Sequence, residues 1–190
     1  MNLAYTPPPD AVGPRLITVE EFDKMSELGI FAPEERLELV EGMILQMSAK
    51  GVPHESLKTQ LNLFFGRNRP DTVLFTQEAG WRVDRYTYLE PDFLFYPASL
   101  RIDQVPAAQS LLIIELSSSS IGYDLGRKAA LYARLGVCDY WVIDADRRQT
   151  HVHRDPQPEG YGEIRLVPEG EPLVPLLIPA LSVTIADMPA

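Results

Sequence analysis

The chain has 190 residues, a length suited to one domain with a substantial core. Hydrophobic residues make up 45% and no apolar run approaches the roughly 20 residues that span a bilayer, which excludes a disordered chain and a helical membrane protein. A net charge of −10 argues against coating nucleic acid by bulk electrostatics, but not against an enzyme that touches it through a local basic patch.

The opening MNLAYTPPPD has neither a basic n-region nor an apolar h-region, so no secretory signal is expected. Residues 1–14 hold four prolines and suggest a flexible arm, with 15–190 as a single domain. Thr18 and Glu21 form a capping box that opens a short helix, TVEEFDKMSEL, ended by Gly29. RLELVEGMILQMS alternates around Glu41-Gly42 and predicts a β-hairpin. In PHESLKTQLNLFFG, residues 53–66, Leu57, Leu61 and Phe64 share one helical face, and Pro53 suits the first turn.

Short strands are predicted at 73–77, 80–84 and 92–96, followed by a strand at 111–116. A helix over about 123–135 follows, closed by Gly136. CDYWVID predicts a further apolar strand, with 149–154 as its hairpin partner and a strand-like piece at 162–167. This order describes an α/β core around a mixed sheet. The single cysteine, Cys138, excludes an internal disulfide and a cysteine-rich zinc site, and fits a reducing cytoplasm.

Three segments carry the chemistry. In LLIIELSSSS, Glu115 stands inside an apolar run typical of a strand covered on both faces. A buried carboxylate there is costly unless a cation, a metal ion or a raised pKa compensates. In YDLGRKAALYARLG, at about 100° per residue, Lys128 falls inside the apolar stripe beside Tyr132 and Leu135, with Leu125 also in it. Asp124 lies one turn earlier, and the simpler reading is an Asp124–Lys128 pair with the lysine reaching out to solvent. In LEPDFLFY, Pro91 marks a strand start and places Asp92 in its first turn. Alone, Asp92 would be an ordinary strand-end carboxylate bonding nearby amides. Together the three make a charged cluster in an apolar core, whose hard oxygen donors select Mg²⁺, or Mn²⁺, over zinc.

This pattern of PD, a strand glutamate and a lysine resembles the PD-(D/E)XK nuclease superfamily, with its restriction-endonuclease-like fold. RLELVEG, the His54 segment, EPDFLFY, the run LLIIELSSSSIGYDLGRKAALYARLGVCDYWVID and the hairpin after it also resemble a small bacterial family of restriction-endonuclease-like proteins. That family was long carried as a domain of unknown function. The likeness covers about residues 18–155. It implies a central mixed β-sheet flanked by helices, with additional β-hairpins. It further implies Asp92, Glu115 and the Leu116 carbonyl as metal ligands, Lys128 as the catalytic lysine and Glu38 as a further acidic residue. His54 would be a neighbour of the site rather than a ligand, and Asp124 would hold Lys128. One departure stands out: the superfamily lysine two residues after Glu115 is replaced by Ser117, so Lys128 must reach the same space from the helix.

Other signals weigh less. The serines 117–120 lack a nucleophile elbow. His151 and His153 share a strand face without a third metal ligand. Trp81 and Trp141 suit a core, and GYDLGRK misses the phosphate-loop spacing. Arg67 and Arg69, Arg82 and Arg85, and Arg127 with Lys128 are candidate pieces of a basic patch, or simply solvated surface.

The function expected is a Mg²⁺-dependent endonuclease that hydrolyses DNA phosphodiesters, located in the cytoplasm and forming a homodimer or higher homo-oligomer. The competing expectation is an inactive or weakly active nuclease-like scaffold that binds nucleic acid or protein. A third is a hydrolase using Asp92 and Glu115 as general acid and base on a neutral substrate.

Overall fold

The computed structural model describes residues 13–189, so most of the expected proline-rich arm lies outside the described residues. In chain order the elements begin with α1 (Val19–Glu27), β1 (Leu37–Val40), β2 (Met43–Gln46), α2 (Val52–Asn68), β3 (Val73–Thr76), β4 (Trp81–Asp84), β5 (Thr87–Leu89) and β6 (Phe93–Pro97). They continue with β7 (Leu112–Ser117), α3 (Ile121–Tyr123), a π-helical turn (Asp124–Lys128), α4 (Ala129–Arg134), β8 (Asp139–Asp144), β9 (Gln149–Gln157) and β10 (Gly160–Val167). Two short strands, β11 (Pro172–Leu173) and β12 (Val183–Thr184), complete the list. None of the described helices is long and apolar enough to cross a membrane.

The chain divides into two units, one comprising the residues up to Met47 with Gly80–Glu90, the other Ser48–Ala79 with Pro91 onward. In the first, α1 starts where the sequence places it. Thr18 Oγ1 accepts the Glu21 amide at 3.2 Å, and Glu21 Oε2 accepts the Thr18 amide at 3.0 Å. The predicted hairpin forms with Val40 opposite Met43, and its turn residues Glu41 and Gly42 both have positive φ, 51° and 79°. A Cβ on Gly42 would meet Leu16 Cβ at 2.6 Å, so close packing as well as conformation demands glycine there. The sheet of this unit runs β2-β1-β5-β4. Its strand β5, only three residues long, is absent from the sequence reading.

The second unit is built on a six-stranded sheet, β10-β9-β8-β7-β6-β3, in which β7 and β8 are parallel and every other pair is antiparallel. This is the expected mixed sheet. The parallel pair requires a crossover, and the α3–π–α4 segment supplies it. One sheet face packs Phe93, Phe95, Ile114, Leu116, Trp141 and Ile143 against Leu57, Leu61 and Phe65 of α2. Phe65, not Phe64, is the buried phenylalanine of that helix; its ring meets those of Phe93 and Phe95 edge-on at 5.4 and 5.0 Å. On the opposite face Tyr132 of α4 meets Tyr140 at a tilt, with ring centroids 4.8 Å apart, and the cluster continues to His153 and Tyr161.

The crossover helix begins at Ile121 rather than 123 and contains the π turn, which a uniform 100° wheel cannot anticipate. Asp124 and Lys128 are both buried, while Leu125, expected in the same stripe, is only half-buried.

Candidate active site

Strand register brings the two acidic residues together. Phe93 stands opposite Ile114 in the antiparallel β6–β7 pair, so the next step sets Asp92 opposite Glu115 at the strand end. The Asp92 amide donates to Glu115 Oε2 at 3.4 Å, and the Leu116 amide donates to Asp92 Oδ2 at 2.8 Å. Both carboxylates are buried, at 3% and 4% exposure.

Glu115 faces the crossover helix. Its Oε1 accepts from Lys128 Nζ at 2.9 Å and from the Tyr132 hydroxyl at 3.0 Å. A charge-assisted pair with a second donor on the same oxygen supplies the compensation that a carboxylate in an apolar strand needs. Lys128 does not reach out to solvent: it is 2% exposed. Its position in the apolar stripe faces the sheet.

Asp124 is held by serines. Its Oδ2 accepts from Ser117 Oγ at 2.8 Å and from Ser120 Oγ at 2.7 Å, and its backbone carbonyl accepts from the Tyr140 hydroxyl. Burial pushes its carboxyl upward, against the Lys128 charge and the serine bonds that pull it down. Ser117, at the position of the superfamily lysine, therefore supports the acid that neighbours Lys128. The serine run is structural: Ser117 and Ser120 hold Asp124, and Ser118 donates to Asp146.

A second set of charges reaches Asp92 from the segment opening α2. Lys50 Nζ lies 2.5 Å from Asp92 Oδ1 and also pairs with Glu78. His54 Nε2 lies 3.2 Å from Asp92 Oδ2; a carboxylate can only accept, so Nε2 carries the proton of that bond. His54 Nδ1 comes within 3.2 Å of Glu55 Oε1 but outside hydrogen-bond geometry. Burial acts to raise the Asp92 carboxyl, yet the His54 hydrogen bond and the Lys50 charge outweigh it and hold Asp92 well below the usual carboxylate range. Glu78 is likewise held low, because hydrogen bonds from Lys50 and Lys58 outweigh its desolvation. Lys58, against its own burial, is raised by Glu55 and Glu78, 2.7 and 2.9 Å away.

The sequence reading missed Lys50, Lys58, Glu78 and the role of Tyr132. The one available signal was local: Lys58 shares the helix face of His54 at i+4 and stands i+3 from Glu55. Glu38 belongs to the hairpin unit, where it is buried at 2%, and its Oε1 accepts the Glu90 amide at 2.9 Å. The arginines and lysine of the candidate basic patch divide. Lys128 is buried, Arg82 pairs with Asp23, and Arg69 donates to the carbonyls of Pro70 and Val73. Arg67 and Arg127 remain exposed. His153 is buried against the Tyr140 and Tyr161 rings and does not join His151 in a metal site. Trp81 and Trp141 are core residues.

Among the described residues no group of three or more His, Cys, Asp or Glu side chains is arranged to hold a metal ion. The Asp92–Glu115 pair nonetheless offers the donor chemistry that suits a hard divalent cation: two adjacent buried carboxylates, one of whose oxygens already receives the Lys50 ammonium. Mg²⁺ commonly takes one or two carboxylates and fills its other positions with water and substrate oxygens. Asp92, strongly ionised, is unsuited to act as a general acid.

A solved structure of a putative nuclease belonging to DUF820 from Anabaena variabilis shares this fold, with a TM-score of 0.66 at 19% identity over 90% of this chain and 97% of that one. No curated protein matches the chain. The model of the Uma2 family, described as "Putative restriction endonuclease", matches residues 19–186. With a restriction-endonuclease-like α/β core and a family match over nearly its whole length, the chain belongs to the Uma2 family of nuclease-like proteins.

Proposed function

We propose that the protein is a divalent-metal-dependent endonuclease that hydrolyses DNA phosphodiester bonds in the cytoplasm. The observation that carries this reading is the buried contact of Lys128 with Glu115, on a strand whose neighbour presents Asp92. Asp92, Glu115 and the Leu116 carbonyl would hold Mg²⁺, or Mn²⁺. Such an ion, when bound, polarises the phosphoryl group and lowers the pKa of bound water.

The remaining work falls to side chains. Lys128, shielded from water, presents a positive charge whose field is stronger than at the surface, so it suits charge building on a phosphate or the orientation of an attacking water. Tyr132 fixes the Glu115 carboxylate from the same side. His54 and Lys50 keep Asp92 ionised, and so ready to ligate, across the physiological range. Asp124, tied to Ser117 and Ser120, positions the turn that carries Lys128. Glu38 enters on the family resemblance alone, as the further acidic residue.

Arg67 and Arg127, both exposed, are proposed contacts for the DNA backbone, where they would supply locally the attraction that a net charge of −10 denies the whole molecule. A second copy is proposed at the edge strand β10, where Ile164 and Leu166 are 60% and 52% exposed. Antiparallel self-pairing centred on Ile164 would set Glu163 of each copy opposite Arg165 of the other, a self-complementary charge pattern.

Incubation of supercoiled plasmid with Mg²⁺ tests the reading, with Asp92→Ala as control. Cleavage by the wild-type protein that EDTA stops and the variant lacks supports it. Equal nicking by both, or none by either, leaves the chain as a nuclease-like binding module.

A further inference from the structure

We propose that Lys50 is an internal counter-ion that occupies the metal-facing oxygen of Asp92 and transfers to Glu78 when a divalent cation arrives. The inference rests on the reading of Asp92 and Glu115 as metal ligands. Lys50 Nζ sits 2.5 Å from Asp92 Oδ1, and the lysine side chain is 14% exposed, so an ammonium stands where a cation on that oxygen would stand. An ammonium and a dication on one carboxylate oxygen repel each other strongly in a buried site. Metal entry therefore favours withdrawal of Lys50.

Glu78 provides the place for it to go. The Glu78 carboxylate already pairs with Lys50 and is the more open of the two acids, 33% exposed against 5% for Asp92. Its backbone holds φ at +50°, a conformation uncommon for a non-glycine residue and frequent at functional positions. Lys58, 2.9 Å from the other Glu78 oxygen, fixes that carboxylate in position. Lys50 itself lines an open cleft of about 420 Å³ along the start of α2, with Gly51, Val52 and Glu55 among its walls. A flexible four-carbon stem beside open space can swing without disturbing the helix.

Two consequences follow from the exchange. The metal-free protein keeps a compensated charge on Asp92 and stays folded, and metal affinity is set by the cost of breaking the Lys50–Asp92 pair. The test is Mn²⁺ binding, followed by calorimetry, on the wild-type protein, Lys50→Met and Asp92→Asn. Lys50→Met is expected to bind Mn²⁺ about tenfold more tightly, equivalent to about 1.4 kcal/mol, and to melt at a lower temperature without metal. Asp92→Asn is expected to lose binding. Equal or weaker affinity in Lys50→Met, with binding still lost in Asp92→Asn, overturns the exchange and leaves the metal reading intact. Absence of binding in both the wild-type protein and Lys50→Met overturns the metal reading and the exchange with it. A second measurement needs no variant: acetylation of Lys50 in the wild-type protein, read by mass spectrometry, should quicken several-fold with saturating Mn²⁺. An unchanged rate in metal-saturated protein overturns the proposal.

Discussion

Lys128 Nζ lies 2.9 Å from Glu115 Oε1, joining the crossover helix to the strand that precedes it through a pair that is almost wholly shielded from water. Removing one member of such a pair leaves a buried charge, and this costs far more than an exposed ion pair contributes. Lys128→Met is expected to lower stability by about 3–5 kcal/mol in a urea titration. Glu115→Gln combined with Lys128→Met should recover most of that loss, because no buried charge then remains on either side. In the cleavage assay, Lys128→Met should reduce the rate by about 100-fold or more.

The packing of α2 gives a prediction independent of chemistry. Phe65 is fully buried against Phe93 and Phe95, whereas Phe64 is only half-buried. Phe65→Ala should destabilise the protein by about 3–5 kcal/mol in guanidinium denaturation. Phe64→Ala should cost clearly less. Equal losses would contradict the phase of the helix.

His153 predicts a pH dependence. Burial holds its imidazole below the ordinary value of 6.5, despite backbone contacts at Tyr140 and His151 that act to raise it. The unfolded chain therefore takes up a proton before the folded one does. Stability contributed by the neutral ring is present above pH 6.5 and declines as pH falls below it. His153→Phe, which suits a ring between Tyr140 and Tyr161, should flatten the fall in melting temperature below pH 6.5. Parallel pH profiles for the two proteins would contradict this.

The β10 edge predicts an oligomeric state. Ile164→Lys introduces a charge at the centre of the proposed antiparallel contact, and like charges would then face each other across the axis. Light scattering should show the wild-type protein as a dimer and the variant as a monomer. A wild-type monomer would contradict the assignment of that edge.

The sequence exposes the fold wherever local chemistry determines it. The Thr18–Glu21 capping box, the Glu41-Gly42 turn and the apolar strands around Ile114 and Trp141 all appear in the structure as expected. Asp92, Glu115 and Lys128 stand out in the sequence because each is a charge embedded in an apolar pattern. Their meeting then follows from register, since Phe93 opposite Ile114 leaves few places for the two acids to be.

What the sequence concealed has physical causes. Lys50 and Glu78 lie in irregular segments between elements, where no periodicity marks a direction, and only tertiary packing brings both to Asp92. Tyr132 looks like an ordinary member of an apolar stripe, and its hydroxyl shows its use only once Glu115 is beside it. The π turn at Asp124–Lys128 breaks the uniform phase that a helical wheel assumes. Strand β5 is too short for alternation to register.

The central claim is that Asp92 and Glu115 together hold a divalent cation beside Lys128. Anomalous diffraction from crystals soaked in Mn²⁺ tests it most directly. A single strong peak between the two carboxylates, lost in Asp92→Asn crystals, is the predicted result. Fully bound Mn²⁺ at another site, with none between Asp92 and Glu115, would contradict it.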